Sequence, residues 1–245
     1  MSFIAAVRTI VTYVVVAVYI LVAGVPFVLL SLITRNPRPL FAVGLLGVRI
    51  GLALAGIRWK AAGTEHIQRG RAAVYAINHS SNVEPPIIFA VLHELMPRLR
   101  VLYKAELRKL PVLVRAFDIA GFVPLERGNR DQSLPAIDMA AAALQAGNSF
   151  LIFPEGTRSR TGELLPFKKG GFIMALRAQA PIVPVAIIGA RDAMRKGSPW
   201  IYPVSVTVRL GAPVETAGRG VDDRDQLVQE VRGSVAALLA EGPVS

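Results

Sequence analysis

Residues 149–160 have the sequence SFLIFPEGTRSR, and residues 72–86 have the sequence AAVYAINHSSNVEPP. In each stretch a short apolar run ends abruptly in a polar segment that contains glycine or proline. This pattern is typical of a buried strand followed by a loop. In α/β proteins, functional groups collect in the loops at the carboxyl ends of parallel strands. The two stretches therefore predict a sheet and also the edge of it that carries the chemistry.

The same alternation extends through the chain from about residue 58. Further strands are predicted at 99–103, 121–125, 182–187 and 204–210, and helices at 86–95, 106–117, 131–146, 171–179 and 222–239. Strands that alternate with helices of 10–15 residues indicate an α/β fold, with a mostly parallel sheet flanked by helices. We therefore predict an α/β catalytic domain over residues 58–245.

The region before this domain is strongly apolar. No charged residue occurs between Arg8 and Arg35, and this length can cross the ~30 Å hydrocarbon core, which needs roughly 20 apolar residues. A cleaved signal peptide fits poorly, because the run is too long and no small-residue cleavage site follows. A second apolar segment, 40–57, contains Arg49, which favours an interfacial position. Residues 1–57 are thus predicted to be membrane-anchoring helices.

Basic residues around these helices predict their orientation. Arg35 and Arg38 lie in the connection, and Arg58 and Lys60 follow the second segment. Positive residues prefer the cytoplasmic side, so we expect a membrane protein whose catalytic domain lies on the cytoplasmic face. A single span and a hairpin sunk into one leaflet both remain open. Pro26, which can kink the first helix, is somewhat better suited to the hairpin.

Composition excludes several classes of site. The 245 residues include no cysteine, which excludes disulfides, cysteine-ligated zinc, iron–sulfur clusters and cysteine nucleophiles. Nucleophile-elbow, P-loop, dinucleotide and zinc-protease motifs are also missing from the sequence. The net charge of +11 together with a mean hydropathy of +0.47 favours anionic lipid over nucleic acid as a partner.

His79 and Glu84 are the first candidate pair. His79 follows the strand at 72–77 after a single residue, Asn78, and Glu84 comes five residues later. A turn that folds the carboxylate back onto the imidazole would fix its tautomer and stabilise the imidazolium. A purely structural pair is the alternative. Ser80 is disfavoured as a nucleophile acting with His79, because neighbouring side chains on a strand diverge.

Further candidates follow three other strands. Glu155 and Arg158 offer an acceptor and a bidentate donor, and Gly156 between them permits close approach of a ligand. Lys104 and Arg127 follow the strands at 99–103 and 121–125 and are suited to a phosphate; the alternative is ordinary surface charge.

Four motifs occur in a recognisable order, with FPEGTRS at 153–159 the most specific of them. The others are NHSSNVE at 78–84, GFVPLER at 121–127 and VPV at 183–185. Over residues 58–215 the chain resembles the 1-acyl-sn-glycerol-3-phosphate (lysophosphatidate) acyltransferases and the wider glycerolipid acyltransferase family. That family usually has Asp where this chain has Glu84, which is one methylene longer.

The resemblance implies a role for each matching residue. His79 would be the general base and Glu84 its partner, and the acceptor oxygen would attack an acyl thioester without an acyl-enzyme. The resemblance assigns substrate binding to six residues. Arg127, Lys104 and Arg158 would hold the acceptor phosphate and Glu155 the glycerol, and the backbone near Gly156 and Thr157 is expected to stabilise the oxyanion.

The expected reaction is transfer of an acyl group from acyl-CoA or acyl-carrier protein to the sn-2 hydroxyl of lysophosphatidate. The product, phosphatidate, is a precursor in phospholipid biosynthesis. We expect no metal or organic cofactor, no nucleic-acid partner, and contact with membrane lipids. Glycerol 3-phosphate, another lysophospholipid or a lyso-aminolipid are alternative acceptors. A non-catalytic lipid-binding protein would predict a damaged base, whereas His79 is intact.

Overall fold

The computed structural model describes residues 3–109, 111–126 and 130–244. Within them the strands are β1 Arg58–Ala62, β2 Val74–Ile77, β3 Leu99–Lys104, β4 Val123–Leu125, β5 Ser149–Ile152, β6 Ile182–Ile188 and β7 Ser205–Leu210. They form one sheet in the order β1-β7-β6-β2-β5-β3-β4, and neighbouring strands are parallel except for β6 and β7. The predicted mostly parallel sheet is confirmed.

Helices flank the sheet and precede it. They are α1 Phe3–Tyr19, α2 Val25–Thr34, α3 Arg38–Leu54, α4 Glu84–Val91, α5 Pro111–Ile119, α6 Arg130–Gln145, α7 Gly170–Ala178, α8 Ala190–Ala193 and α9 Arg224–Ala240, with a π-helical turn at Ile20–Gly24. Short 3₁₀ turns occur at Thr64–His66, His93–Leu95, Ala105–Lys109 and Val221–Asp223. The helix expected at 106–117 is therefore a 3₁₀ turn followed by α5.

Helix α4 begins at Glu84, two residues before its predicted start. Pro85 and Pro86 both fit in its first turn, because the N–H groups there need no intrahelical partner. The earlier start matters for the site, since it puts Glu84 itself on the helix.

Strand β1 was not predicted from the sequence. It lies at the edge of the sheet and pairs with β7, and its residues are exposed or half-buried. A strand with little buried surface needs no apolar run, so RWKAA lacks the signal that marked the other strands.

The core fills both faces of the sheet. On β2, Val74 and Ala76 belong to one buried cluster, and Tyr75 and Ile77 belong to the other. All four are fully buried, as expected for a parallel strand covered on both faces. Helix α4 covers the Tyr75 face, and α6, α7 and α9 cover the Val74 face. Packing on both faces therefore fixes the position of β2 and of the residues that follow it.

Residues 3–34 form an apolar helix long enough to cross a membrane. Its most apolar 18-residue window has a mean hydropathy of 2.6, and only 11% of that window is buried. Helix α3 returns alongside it: Gly47 faces the ring of Tyr19, and Gly51 faces Val16. Small residues spaced by four on one helix allow the close approach seen between helices in membranes.

The long helix also contacts the α/β domain. The Thr9 hydroxyl accepts a hydrogen bond from the Ile201 N–H at 3.0 Å, and the Tyr13 hydroxyl donates to the Pro199 carbonyl at 2.8 Å. Near the other end, α2 packs against α5. The helix therefore lies along the domain instead of projecting from it.

Candidate active site

Three loops meet at one edge of the sheet. Residues 78–84 follow β2, residues 153–162 follow β5, and residues 189–198 follow β6. These three strands are neighbours and parallel, so their carboxyl ends lie side by side. The site predicted from the first two loops lies at this edge.

Glu84 contacts His79 directly. His79 Nδ1 lies 2.6 Å from Glu84 Oε2, and the Glu84 side chain is fully buried. The carboxylate also accepts hydrogen bonds from the backbone N–H groups of Ser80 and Ser81 and from the Ser80 hydroxyl, at 2.8–2.9 Å. The turn between the two residues thus folds the carboxylate back onto the ring. An Nδ1 that donates to Glu84 leaves Nε2 with a lone pair that can accept a proton.

The ring of His79 stacks on Phe153. The two ring centroids are 4.1 Å apart, with an angle of 28° between the planes. The His79 side chain remains 17% exposed. Phe153 was given no role from the sequence, although its place directly after a buried strand and before Pro154 was the available signal. The stacking and the Glu84 contact together fix the orientation of the imidazole.

Glu155 supports the backbone of His79. Its Oε1 accepts a hydrogen bond from the His79 N–H at 2.6 Å, and its Oε2 accepts one from the Leu165 N–H at 3.1 Å. The residue is 3% exposed. Both oxygens therefore face the main chain, and contact between Glu155 and a glycerol stays a prediction.

Burial raises the pKa of Glu155 to about 7. The two backbone hydrogen bonds and the charge of Arg232 act in the opposite direction, while the negative charge of Glu84 adds to the increase. The dominant cause is loss of hydration, which disfavours the ionised carboxylate.

The loop that contains Glu155 forms a hydrogen-bonded turn at Gly156. Gly156 has a φ of +68°, and its N–H donates to the Phe153 carbonyl at 3.0 Å. Gly156 could act as an oxyanion donor only if this turn opened. The Ser159 N–H donates to the His79 carbonyl at 2.7 Å, so the loop hydrogen-bonds both the backbone N–H and the backbone carbonyl of His79.

Thr157 and Arg158 have a partner that the sequence did not indicate. Lys196 Nζ donates to Thr157 Oγ1 at 3.0 Å and to the Arg158 carbonyl at 2.9 Å. The sequence contains little that predicts this contact, because Lys196 lies 38 residues after Arg158 and belongs to none of the four motifs. The Arg158 side chain itself is not part of this contact.

The remaining predicted residues lie on the β3 side. Lys104 is the last residue of β3, at the same edge as His79, and its Nζ is 2.8 Å from Glu106 Oε1. Its side chain is half-exposed. Arg127 lies outside the described residues. Phosphate binding by Lys104, Arg127 and Arg158 stays a prediction.

Asn78 ties β2 to β6 just before the histidine. Its amide nitrogen donates to the Ile187 carbonyl at 3.0 Å, and its amide oxygen accepts the Ile187 N–H at 2.7 Å. The buried side chain thus continues the ladder between the two strands. Within the described residues, no three His, Asp or Glu side chains are grouped in a way that would hold a metal ion.

The chain is similar to several known proteins. It is 35% identical over 178 residues to the 1-acyl-sn-glycerol-3-phosphate acyltransferase of Limnanthes douglasii, covering 72% of this chain and 61% of that protein. It is 30% identical over 190 residues to the mouse (Mus musculus) 1-acyl-sn-glycerol-3-phosphate acyltransferase alpha, covering 77% and 66%. The matched region thus spans less than two thirds of the length of these relatives.

A solved structure has the same fold. The crystal structure of the 1-acyl-sn-glycerophosphate (LPA) acyltransferase from Thermotoga maritima superimposes with a TM-score of 0.82 at 24% sequence identity. The match covers 98% of both chains, so it includes the N-terminal helices as well as the α/β domain.

The family match covers the region that builds the site. Residues 58–188 match the family described as Acyltransferase. That range is more than half of the chain and contains His79, Glu84 and Glu155. On this match and the relatives above, the chain belongs to the acyltransferase family.

Proposed function

We propose that the protein transfers an acyl group from an acyl thioester to the sn-2 hydroxyl of lysophosphatidate, giving phosphatidate. The observation that carries the proposal is the 2.6 Å contact between His79 Nδ1 and Glu84 at the carboxyl edge of the sheet. The names of the relatives support lysophosphatidate as the acceptor.

The proposed reaction has two steps. His79 Nε2 takes the proton of the acceptor hydroxyl while the oxygen attacks the thioester carbonyl carbon. The resulting tetrahedral intermediate loses the thiolate when the C–S bond breaks, and the imidazolium returns its proton to that sulfur. Glu84 holds the ring in the required tautomer and stabilises the imidazolium between the steps.

Direct attack is supported by the surroundings of His79. The Ser80 hydroxyl donates to Glu84 Oε1 at 2.8 Å, so it is engaged with the carboxylate. The chain has no cysteine to serve as a thiol nucleophile. On the acceptor side, Lys104, Arg127 and Arg158 would bind the phosphate monoester, for which convergent cations are suited.

We further propose that the apolar helices lie in the leaflet next to the catalytic domain. Thr9 and Tyr13 contact residues 199–201 and α2 packs against α5, so the helix touches the domain at points about 30 Å apart. Arg35 and Arg38 favour the cytoplasmic face.

The chain lacks cysteine, so a single Phe3→Cys variant can be labelled selectively. We expect an impermeant maleimide to reach it from the side of the domain; labelling from the opposite side would indicate a single span.

The first test measures thiol release by the detergent-purified full chain with an acyl-CoA, with and without lysophosphatidate. We expect release that requires the acceptor, and a fall of about 10²–10⁴-fold in kcat for His79→Ala. His93→Ala is the matched control, because His93 lies in a 3₁₀ turn away from this edge and its Nδ1 is 3.0 Å from the Ala90 carbonyl.

Each outcome of this test bears on a different part of the proposal. Wild-type rates in His79→Ala would remove His79 as the base. Release with glycerol 3-phosphate or another lysophospholipid, but not with lysophosphatidate, would correct the acceptor and leave acyl transfer in place. Silence with every acceptor and with both acyl-CoA and acyl-carrier protein would reject the proposed function.

A further inference from the structure

The segment 190–198 lies against the histidine loop on the β6 side of the site. The Ser81 hydroxyl donates to the Met194 carbonyl at 2.8 Å, and Ser81 pairs with Arg195 in an antiparallel bridge. Since Ser81 is two residues from His79, this segment borders the site directly. None of the four sequence motifs includes it.

The segment carries three cations. The Arg191 guanidinium donates to the Arg160 carbonyl at 2.8 Å, and Lys196 Nζ donates to the two oxygens of the FPEGTRS loop described above. Within the described residues, these partners of Arg191 and Lys196 are neutral oxygens, so they do not cancel the positive charges. The Arg195 side chain is 67% exposed and lies 4.0 Å from Asp192, a loose and exposed pair.

These cations lie on the other side of His79 from Lys104, one of the predicted acceptor-phosphate residues. Lys104 ends β3, which is separated from β2 by β5, whereas β6 borders β2 on the other side. With neighbouring strands about 4.8 Å apart, His79 at the end of β2 has the β6 cations on one side and Lys104 on the other. Lys104 and the β6 cations are thus positive groups on different sides of His79, and Arg158 belongs to the loop that Lys196 contacts.

The proposed reaction needs two anion-binding regions. Lysophosphatidate has a phosphate, and acyl-CoA and acyl-carrier protein both present their thioester on a phosphopantetheine arm that also has one. We propose that Arg195, with Lys196 and Arg191, binds the phosphate of this arm. The inference rests on the proposed function and adds to it the side from which the donor enters.

The test compares Michaelis constants for three donors in the full chain: acyl-CoA, acyl-carrier protein charged with the same acyl group, and acyl-pantetheine, which lacks the phosphate. For Arg195→Gln we expect the KM of both phosphate-bearing donors to rise about tenfold, the effect of losing one charge-assisted contact. The KM of acyl-pantetheine and that of lysophosphatidate should not change. Arg195→Lys, which keeps the charge, should stay within about threefold of wild type.

Arg71→Gln is the matched control. Arg71 is also an exposed arginine paired with a carboxylate, Glu215, but it precedes β2 and so lies at the opposite edge of the sheet. Its donor KM should equal that of wild type. Unfolding midpoints of the variants check that each is folded.

Four results would overturn the inference. The first two are an unchanged donor KM in Arg195→Gln and an equal rise in the KM of acyl-pantetheine. The third is a rise in the KM of lysophosphatidate instead of the donors. The fourth is a rise in the KM of acyl-CoA while the KM of acyl-carrier protein is unchanged. The last would place the contact on the nucleotide phosphates. A wild-type protein that releases no thiol from any donor rejects the proposed function, and the inference with it. Normal turnover with an unchanged donor KM rejects the inference alone.

Discussion

Two neighbouring loops of this site each place a buried glutamate next to His79, and the two glutamates face different atoms of that residue. Glu84, the first residue of α4 at the end of the loop after β2, contacts the imidazole Nδ1 at 2.6 Å. Glu155, in the loop after β5, instead accepts a hydrogen bond from the His79 backbone N–H at 2.6 Å. The first carboxylate therefore sets the chemistry of the side chain, and the second sets the position of the main chain that carries it.

This difference teaches that an acid placed after a buried strand does not by itself indicate its role. Both glutamates follow parallel strands and are nearly or fully buried. What separates them is the donor that each one reaches. A role that acts through the ring should appear in kcat, whereas a role that acts through the backbone should appear partly in stability.

Replacing Glu84 should have the largest effect. In Glu84→Gln the amide oxygen can still accept from the Ser80 and Ser81 N–H groups, which turns the NH₂ group toward the imidazole. That arrangement favours the proton on Nε2, so the ring can no longer act as a base. We expect kcat to fall by about 10²–10⁴-fold, measured as lysophosphatidate-dependent thiol release.

Glu84→Asp is the control for that variant. It keeps the charge and the acceptor atoms while shortening the side chain by one methylene. We expect it to be at least about tenfold more active than Glu84→Gln. Equal losses in the two variants would show that the length of the side chain matters more than its hydrogen bonding, and Glu84 would then be a packing residue.

The pKa of Glu155 predicts how stability depends on pH. Burial raises this pKa to about 7 in the folded protein, above the usual value of 4.5. Between these two values the folded state binds more protons than the unfolded state, so stability is highest at low pH and falls as pH rises toward 7. Since one pKa unit corresponds to about 1.4 kcal/mol, the loss is of order 3 kcal/mol.

The measurement is the unfolding midpoint from pH 5 to pH 8. Glu155→Gln should flatten this dependence, because the titrating group is gone. Glu163→Gln is the matched control, an exposed acid in the same loop, and it should keep the wild-type slope. An unchanged slope in Glu155→Gln would mean that Glu155 is ionised in the folded protein at all these pH values.

A smaller effect on turnover is expected from the same Glu155→Gln variant. Its single amide oxygen can serve only one of the two backbone N–H groups of His79 and Leu165. We expect the histidine loop to shift slightly and kcat to fall by about tenfold, much less than in Glu84→Gln. A loss as large as that of Glu84→Gln would show that the backbone support is as important as the contact with the ring.

The sequence predicted the parts of the site that depend on local patterns. The runs at 72–77 and 149–153 identified β2 and β5, because a strand covered on both faces is continuously apolar. The five-residue spacing from His79 to Glu84 predicted their contact, because a short turn brings such residues together. The edge strand β1 was missed because an exposed strand has no apolar run.

Contacts between distant loops could not be predicted in this way. Glu155 faces backbone N–H groups 76 and 10 residues away, and Lys196 reaches the FPEGTRS loop from beyond β6. Such contacts depend on strand order, which sequence periodicity does not specify. The glutamate could be identified as a candidate from the sequence, but the atoms that it and Lys196 contact could not.

The smallest predicted effect concerns Ser80, which tests how strongly Glu84 depends on its hydroxyl donor. In Ser80→Ala, Glu84 loses the hydroxyl donor at 2.8 Å but keeps both backbone N–H donors and its contact with His79. Although a hydrogen bond to a carboxylate is stronger than a neutral one, the remaining contacts still hold Glu84 against the ring, so kcat should fall only about two- to fivefold. Ser81→Ala, which removes a hydrogen bond to the Met194 carbonyl, is the neighbouring control. It should lower the unfolding midpoint and leave kcat close to that of wild type. A loss of kcat above about 10²-fold in Ser80→Ala would indicate that the hydroxyl acts as a nucleophile. The mechanism would then need more than a Glu84 that orients the imidazole and a Glu155 that holds the His79 backbone.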